Sequence, residues 1–203
     1  MQLFKNTSIL IPFFTVLSVF AALPLLAQYK QLNYKVMQGS NNIGWVKVDK
    51  RDSANTSIFK LGSEIKKRVL FLFTIKESRE THFTNGLMLS SYVFRSVNKD
   101  VKVDMRTFYE GTQYKVKKEK AANALPINRI DCNFLSLYFQ EPVNMKQAYC
   151  DTYEKMLNIE KTAGGPYKII MPDGSITSYY YTNGICSKVK VEQSLFTIEF
   201  VLI

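Results

Sequence analysis

Apolar and polar side chains alternate with a period of two along much of this chain, most plainly over residues 59–75. Phe59, Leu61, Ile65, Val69, Phe71, Phe73 and Ile75 take the odd positions, and Lys60, Glu64, Lys66, Arg68, Thr74 and Lys76 the even ones. Successive side chains of a strand point to opposite faces, so this spacing predicts long antiparallel strands with one wet face, broken near Lys67 by a turn, bulge or bend. Residues 166–191 predict a three-strand meander. Its reversals fall at Pro172-Asp173-Gly174, where Pro presets one φ and Gly accepts a positive one, and at Asn183-Gly184, the dipeptide that best suits a type I′ hairpin.

Similar signals extend the pattern in both directions. Residues 33–40 and 43–50 read as a hairpin carrying Trp45, Asn85-Gly86 opens a strand over 87–97, and Asn98-Lys99-Asp100 turns into alternation at 101–106 and 114–117. Periodicity lapses over 118–126, which reads as a long loop. Phe134, Leu135, Leu137 and Tyr138 then recur at spacings of one, three and four, predicting a short helix near 131–140 that Asp131 or Asn133 caps and Pro142 ends. Residues 156–161 and 194–203 return to strand. An apolar final strand left unpaired would aggregate, so it is expected inside the sheet.

The first 27 residues break the pattern. Lys5 is their only charge, and a nearly continuous apolar run extends over 9–26 to an Ala27-Gln28 junction. They read as an export signal cleaved at that junction, with retention as a membrane anchor the alternative. Residues 28–203 then form a single antiparallel β domain, in the periplasm, the outer envelope or the medium. Losing Lys5 lowers the formal charge from +10 to +9. For an exported basic chain, anionic lipid head groups, envelope polysaccharide and acidic proteins rank ahead of nucleic acid, which is not expected as a partner. Membrane contact is expected only through the signal segment before cleavage. The basic runs at 66–68 and 115–120 are interrupted by apolar or acidic residues and read as solvated strand faces and turns.

No catalytic constellation emerges. His82, the only histidine, lies just before a hairpin turn, and a nucleophile would need a base oriented by a third group in space. Cys132, Cys150 and Cys186 match no zinc spacing, and neither metal nor cofactor is expected. In an oxidising compartment Cys132 and Cys150 would close the shorter disulfide loop, leaving Cys186 as a buried thiol. Asp131, Glu141 and Asp151 are near one another in sequence, which does not set the carboxylate separation that glycoside hydrolysis requires. Asp173-Gly174 lacks the further oxygen ligands of a calcium loop. With 12 Tyr and 14 Phe, the chain has aromatic side chains to spare for packing or for a ligand wall. Trp45, Phe71, Phe73 and Tyr180 are the candidates for such a wall.

The segments Asn85-Gly86-Leu87, LSLYFQEP beginning at Leu135, Pro172-Asp173-Gly174 and YYYTNGIC beginning at Tyr179 resemble those of a family of small exported bacterial envelope proteins built on a domain of unknown function. The resemblance covers nearly all of residues 28–203 and carries no catalytic or binding residues with it. A second likeness, in strand order and in one mid-chain helix, is to envelope proteins with a strongly curved antiparallel sheet. It implies an all-β half-barrel or open β-barrel of about ten strands, able to enclose something apolar. The expected function is a non-enzymatic envelope protein binding a lipid or other apolar small molecule. A structural or interaction protein of the envelope is the alternative, with a hydrolase using Cys150 or His82 behind both.

Overall fold

The computed structural model describes residues 28–68, 72–119 and 121–203; the expected signal segment lies outside the described residues. Strands β1 (Gln28–Gln38), β2 (Asn41–Ser53), β3 (Thr56–Arg68), β4 (Leu72–Thr84), β5 (Leu87–Val97), β6 (Asp100–Tyr109), β7 (Tyr114–Lys118) and β8 (Ala121–Leu125) form one continuous antiparallel run of hairpins. After an irregular stretch come β9 (Gln147–Cys150) and β10 (Lys155–Asn158), which form a separate two-stranded sheet. The chain then continues through β11 (Glu160–Lys161), β12 (Tyr167–Ile170), β13 (Ile176–Thr182), β14 (Ile185–Gln193) and β15 (Phe196–Leu202). Pairing of β1 with β15 joins the two runs into a single 13-stranded sheet, ordered β11-β12-β13-β14-β15-β1-β2-β3-β4-β5-β6-β7-β8. The final strand is thus interior, as its apolar sequence requires.

The turns form where the sequence places them. Asn85-Gly86 and Asn183-Gly184 both have positive φ at each central residue, matching the right-handed twist of the flanking strands, and Gly174 takes φ +81° after Pro172-Asp173. At Gly44 an added Cβ would lie 2.1 Å from the Glu64 carbonyl oxygen, so β2 can approach β3 there only as glycine.

The sheet bends around one face without closing, a half-barrel with β8 and β11 as edges. Cross-strand register aligns inward side chains in rows, the unit in which sheets are stabilised. Val48, Leu61, Arg79, Val93 and Met105 make one row, and Val46, Ser63, Glu77 and Arg95 the next. Gly44, Ile65, Ile75 and Val97 follow toward the rim.

Residues 126–158 fill much of the concave face. Ile130, Leu135, Leu137 and Tyr149 are at most 2% exposed there, which makes this segment a plug for the sheet as well as a connection between its halves. Three tyrosine hydroxyls of this interior reach backbone carbonyls, which offsets the cost of burying them. Tyr34 donates to the Cys186 carbonyl at 2.6 Å, Tyr114 to Met88 at 2.7 Å and Tyr181 to Leu137 at 2.8 Å.

Three expectations are corrected. The helix near 131–140 is a single 3-10 turn, Ser136–Tyr138. Asn133 accepts from the Ser136 N–H at 3.0 Å while its backbone bridges Tyr149, and this pairing ties down the residues that a longer helix would need. The loop at 118–126 contains β8, and 147–150 adds β9, so the strand count exceeds ten. Finally, Cys132, Cys150 and Cys186 are all free and buried, and the expected Cys132–Cys150 bridge is absent. The parallel bridge between Asn133 and Tyr149 puts those two cysteines two residues out of step, a diagonal placement wider than a disulfide normally spans.

Candidate ligand-binding groove

Because the sheet is open and its plug covers only part of the concave face, a groove of about 460 Å³ is left uncovered. Ile65 and Ile75 form one wall from the β3–β4 hairpin, and Val191, Ile198 and Phe200 form the opposite wall from β14 and β15. Phe134, Leu135, Tyr138 and Tyr179 supply apolar surface from the plug and β13. At the rim Lys67 crosses from β3 to lie over the Phe196 ring of β15, and burial lowers the pKa of its ammonium.

A charged cluster lies on the inner face of β4 and β5. Glu77 and Arg95 are directly opposed in register, and Arg79 follows two residues after Glu77 on the same face. Arg79 Nε donates to Glu77 Oε1 and Arg95 Nε donates to Glu77 Oε2, so one carboxylate is shared by two guanidinium groups. Burial pushes the Glu77 carboxyl up, but the attraction of Arg79 and Arg95 outweighs it and holds the carboxyl below its ordinary range. Beneath Arg79, Asp151 is 2% exposed; one oxygen is 4.0 Å from Arg79 Nη1 and Oδ1 has no hydrogen-bond partner. Burial raises its pKa, offset in part by Arg79.

The described residues of the expected wall, Trp45, Phe73 and Tyr180, are elsewhere. Trp45 is 49% exposed on the outer face, where the period of two puts it beside the inward Val46. Tyr180 also faces outward, between the inward Tyr179 and Tyr181, with Lys188 Nζ 4.3 Å from its ring centroid. Phe73 has inward parity but sits opposite Lys67 at the end of the hairpin, 36% exposed and outside the groove lining. The Phe71 side chain lies outside the described residues.

The structure separates the remaining candidates. His82 hydrogen-bonds Glu80 at 2.6 Å, and Glu80 also meets Lys60 at 3.0 Å, forming a surface network. Cys150 lines the groove, and burial raises the pKa of its thiol. Asp131 is exposed, Glu141 accepts from the Tyr167 hydroxyl at 2.8 Å, and only Asp151 joins the charged cluster.

Glu77, Arg79 and Arg95 belong to no motif that the sequence displays. Their signal was the odd-numbered run of Phe73 and Ile75 continuing as Glu77 and Arg79, which puts charge on the face expected to be dry.

The buried acids of this interior set an alkaline limit on stability. Burial pushes the thiol of Cys132 to about 11, that of Cys186 to about 12 and the phenol of Tyr114 to about 12. A raised folded-state pKa gives stability that is full below the unfolded value, about 8.5 for Cys and 10 for Tyr, and that is lost as pH rises through the folded value. Urea midpoints measured between pH 8 and 12 should therefore fall steadily above about pH 9. A flat profile to pH 12 would contradict the assignment.

Among solved structures, the chain is similar to a beta-barrel-like protein of a domain of unknown function, DUF1849, from Brucella abortus. The two share 13% identity over 88% of this chain and 96% of that one, with a TM-score of 0.55, a likeness that shows the fold alone. No curated protein matches. The family profile of DUF6134, a domain of unknown function, matches residues 34–203, and the chain belongs to that family.

Proposed function

We propose that this protein is an exported, non-enzymatic binding protein that holds an apolar ligand, of the lipid class, in the groove of its half-barrel. The observation that carries the reading is the groove itself. About 460 Å³ of concave space faces two apolar walls, within the range of small-molecule sites, and the plug leaves it uncovered. Each methylene taken from water into such a site contributes about 0.8 kcal/mol, so a chain of eight or more carbons would be retained through purification. The apolar segment at the start of the sequence supports export to compartments where free lipid is handled.

Organic extraction of protein purified without detergent, followed by mass spectrometry, should release about one apolar molecule per chain. The Ile198→Trp variant, which projects an indole into the groove from β15, should reduce that recovery at least tenfold while leaving the circular dichroism spectrum unchanged. Protein that is always recovered empty and takes up no apolar fluorescent probe would overturn the reading.

A further inference from the structure

The charge lining the groove is unequal in what it leaves available. Three basic residues, Lys67, Arg79 and Arg95, and two acidic ones, Glu77 and Asp173, face it. Both acids are engaged. Glu77 gives one oxygen to each arginine, and Asp173 accepts from the Ser175 hydroxyl at 2.6 Å and from its backbone N–H at 3.0 Å. Arg79 meets Glu77 through Nε and Asp151 through Nη1, whereas Arg95 is engaged on one edge only. Among the described residues, each donates to Glu77 through Nε, and the Nη groups of Arg95 have no protein acceptor. Arg95 is also the most open of the three clustered side chains, 30% exposed against 14% for Arg79 and 13% for Glu77.

The neighbouring apolar residues are fixed by register. Ile75 lies two residues from Glu77 on the same face of β4, and Ile65 is directly opposite it on β3, so an apolar row begins about 7 Å rimward of the charged one. A molecule bridging the two rows needs an anionic end and an alkyl body.

Resting on the reading of the groove as a ligand site, we propose that its occupant is a single-chain carboxylate amphiphile, such as a free fatty acid. Its head group pairs with the Nη edge of Arg95, and its chain lies along Ile65 and Ile75 toward Ile198. A planar carboxylate matches the fork of one guanidinium with two parallel hydrogen bonds. A phosphate dianion would call for a second free guanidinium, and Arg79 is enclosed between Glu77 and Asp151. The chain expels water from around the new pair and thereby strengthens it.

Isothermal titration of the mature chain with decanoate, decanol, decyl phosphate and decyltrimethylammonium tests this. Decanoate should bind at least tenfold more tightly than decanol, and decyltrimethylammonium more weakly than either. Arg95→Met should abolish the preference for decanoate over decanol, while Arg95→Lys should recover only part of it. Glu77 keeps Arg79 as a partner in both variants. The acid and alcohol comparison in the unaltered protein decides the matter even if a variant does not fold. Equal affinity for decanoate and decanol would overturn the head-group assignment and leave the groove reading standing, as would an undiminished preference in folded Arg95→Met. Tighter binding of decyl phosphate than of decanoate would overturn the choice of carboxylate. If none of the probes binds, decanol included, the groove reading itself fails.

Discussion

Arg79→Met should destabilise the fold by about 3–5 kcal/mol, the range observed when one member of a buried charge network is removed and its partners remain. Arg79 is 14% exposed, and it is the residue that links the Glu77 carboxylate to Asp151. Without it Glu77 keeps one guanidinium, and Asp151, already carrying an unpartnered oxygen at 2% exposure, keeps none. Methionine replaces much of the volume, so the loss reports charge more than cavity. The pH dependence separates the two. Glu77 has a depressed folded-state pKa, so its contribution is present above the unfolded value of about 4.3 and is lost as pH falls through the folded one. In the variant the cost comes from Asp151 ionised without a partner and from Glu77 holding one guanidinium where it had two, and protonation relieves both. The deficit against the unaltered protein, measured by urea unfolding, should be full at pH 7 and shrink toward pH 4. A loss below about 1 kcal/mol at pH 7, or one independent of pH, would show that the cluster is not a coupled network.

The antiparallel sheet was legible because its signals are local. A period of two and an Asn-Gly dipeptide each act within a few residues, and the hairpins at 85–86 and 183–184 follow from them directly. The plug was less legible because its conformation depends on distant partners. Leu135, Leu137 and Tyr138 have helical spacing, yet Asn133 bonds Thr81 of β4 at 2.9 Å and bridges Tyr149, and those tertiary bonds leave only one turn. The groove failed for a subtler reason. Aromatic character alone pointed to Trp45 and Tyr180, but a strand's two faces differ by one position; Phe73 has the inward parity and lies past the end of the groove. Reading parity first would have selected Tyr179 over Tyr180, and Glu77 and Arg79 as the charged residues on an apolar face.

If the plug is an integral part of the core, Tyr149→Ala should cost about 3–5 kcal/mol, as truncation of a large buried aromatic does. Tyr149 is fully buried, and its backbone is the seam between the plug's two halves: its N–H donates to Cys132 at 2.9 Å, and its carbonyl accepts from Phe134 at 3.2 Å. Its hydroxyl is 3.0 Å from that of Thr107 on β6, joining the seam to the sheet. Tyr149→Phe keeps the ring and removes only that bond, which leaves the Thr107 hydroxyl unpartnered at 1% exposure and should cost about 1–2 kcal/mol. The difference between the variants isolates the ring's packing from its polar link. Because the ring fills space beneath the sheet, Tyr149→Ala should also increase amide exchange across residues 130–150, while exchange in the β1–β2 hairpin should change much less. A loss below about 1 kcal/mol for the alanine variant, with exchange at 130–150 unchanged, would mean that the sheet holds its curvature without the plug.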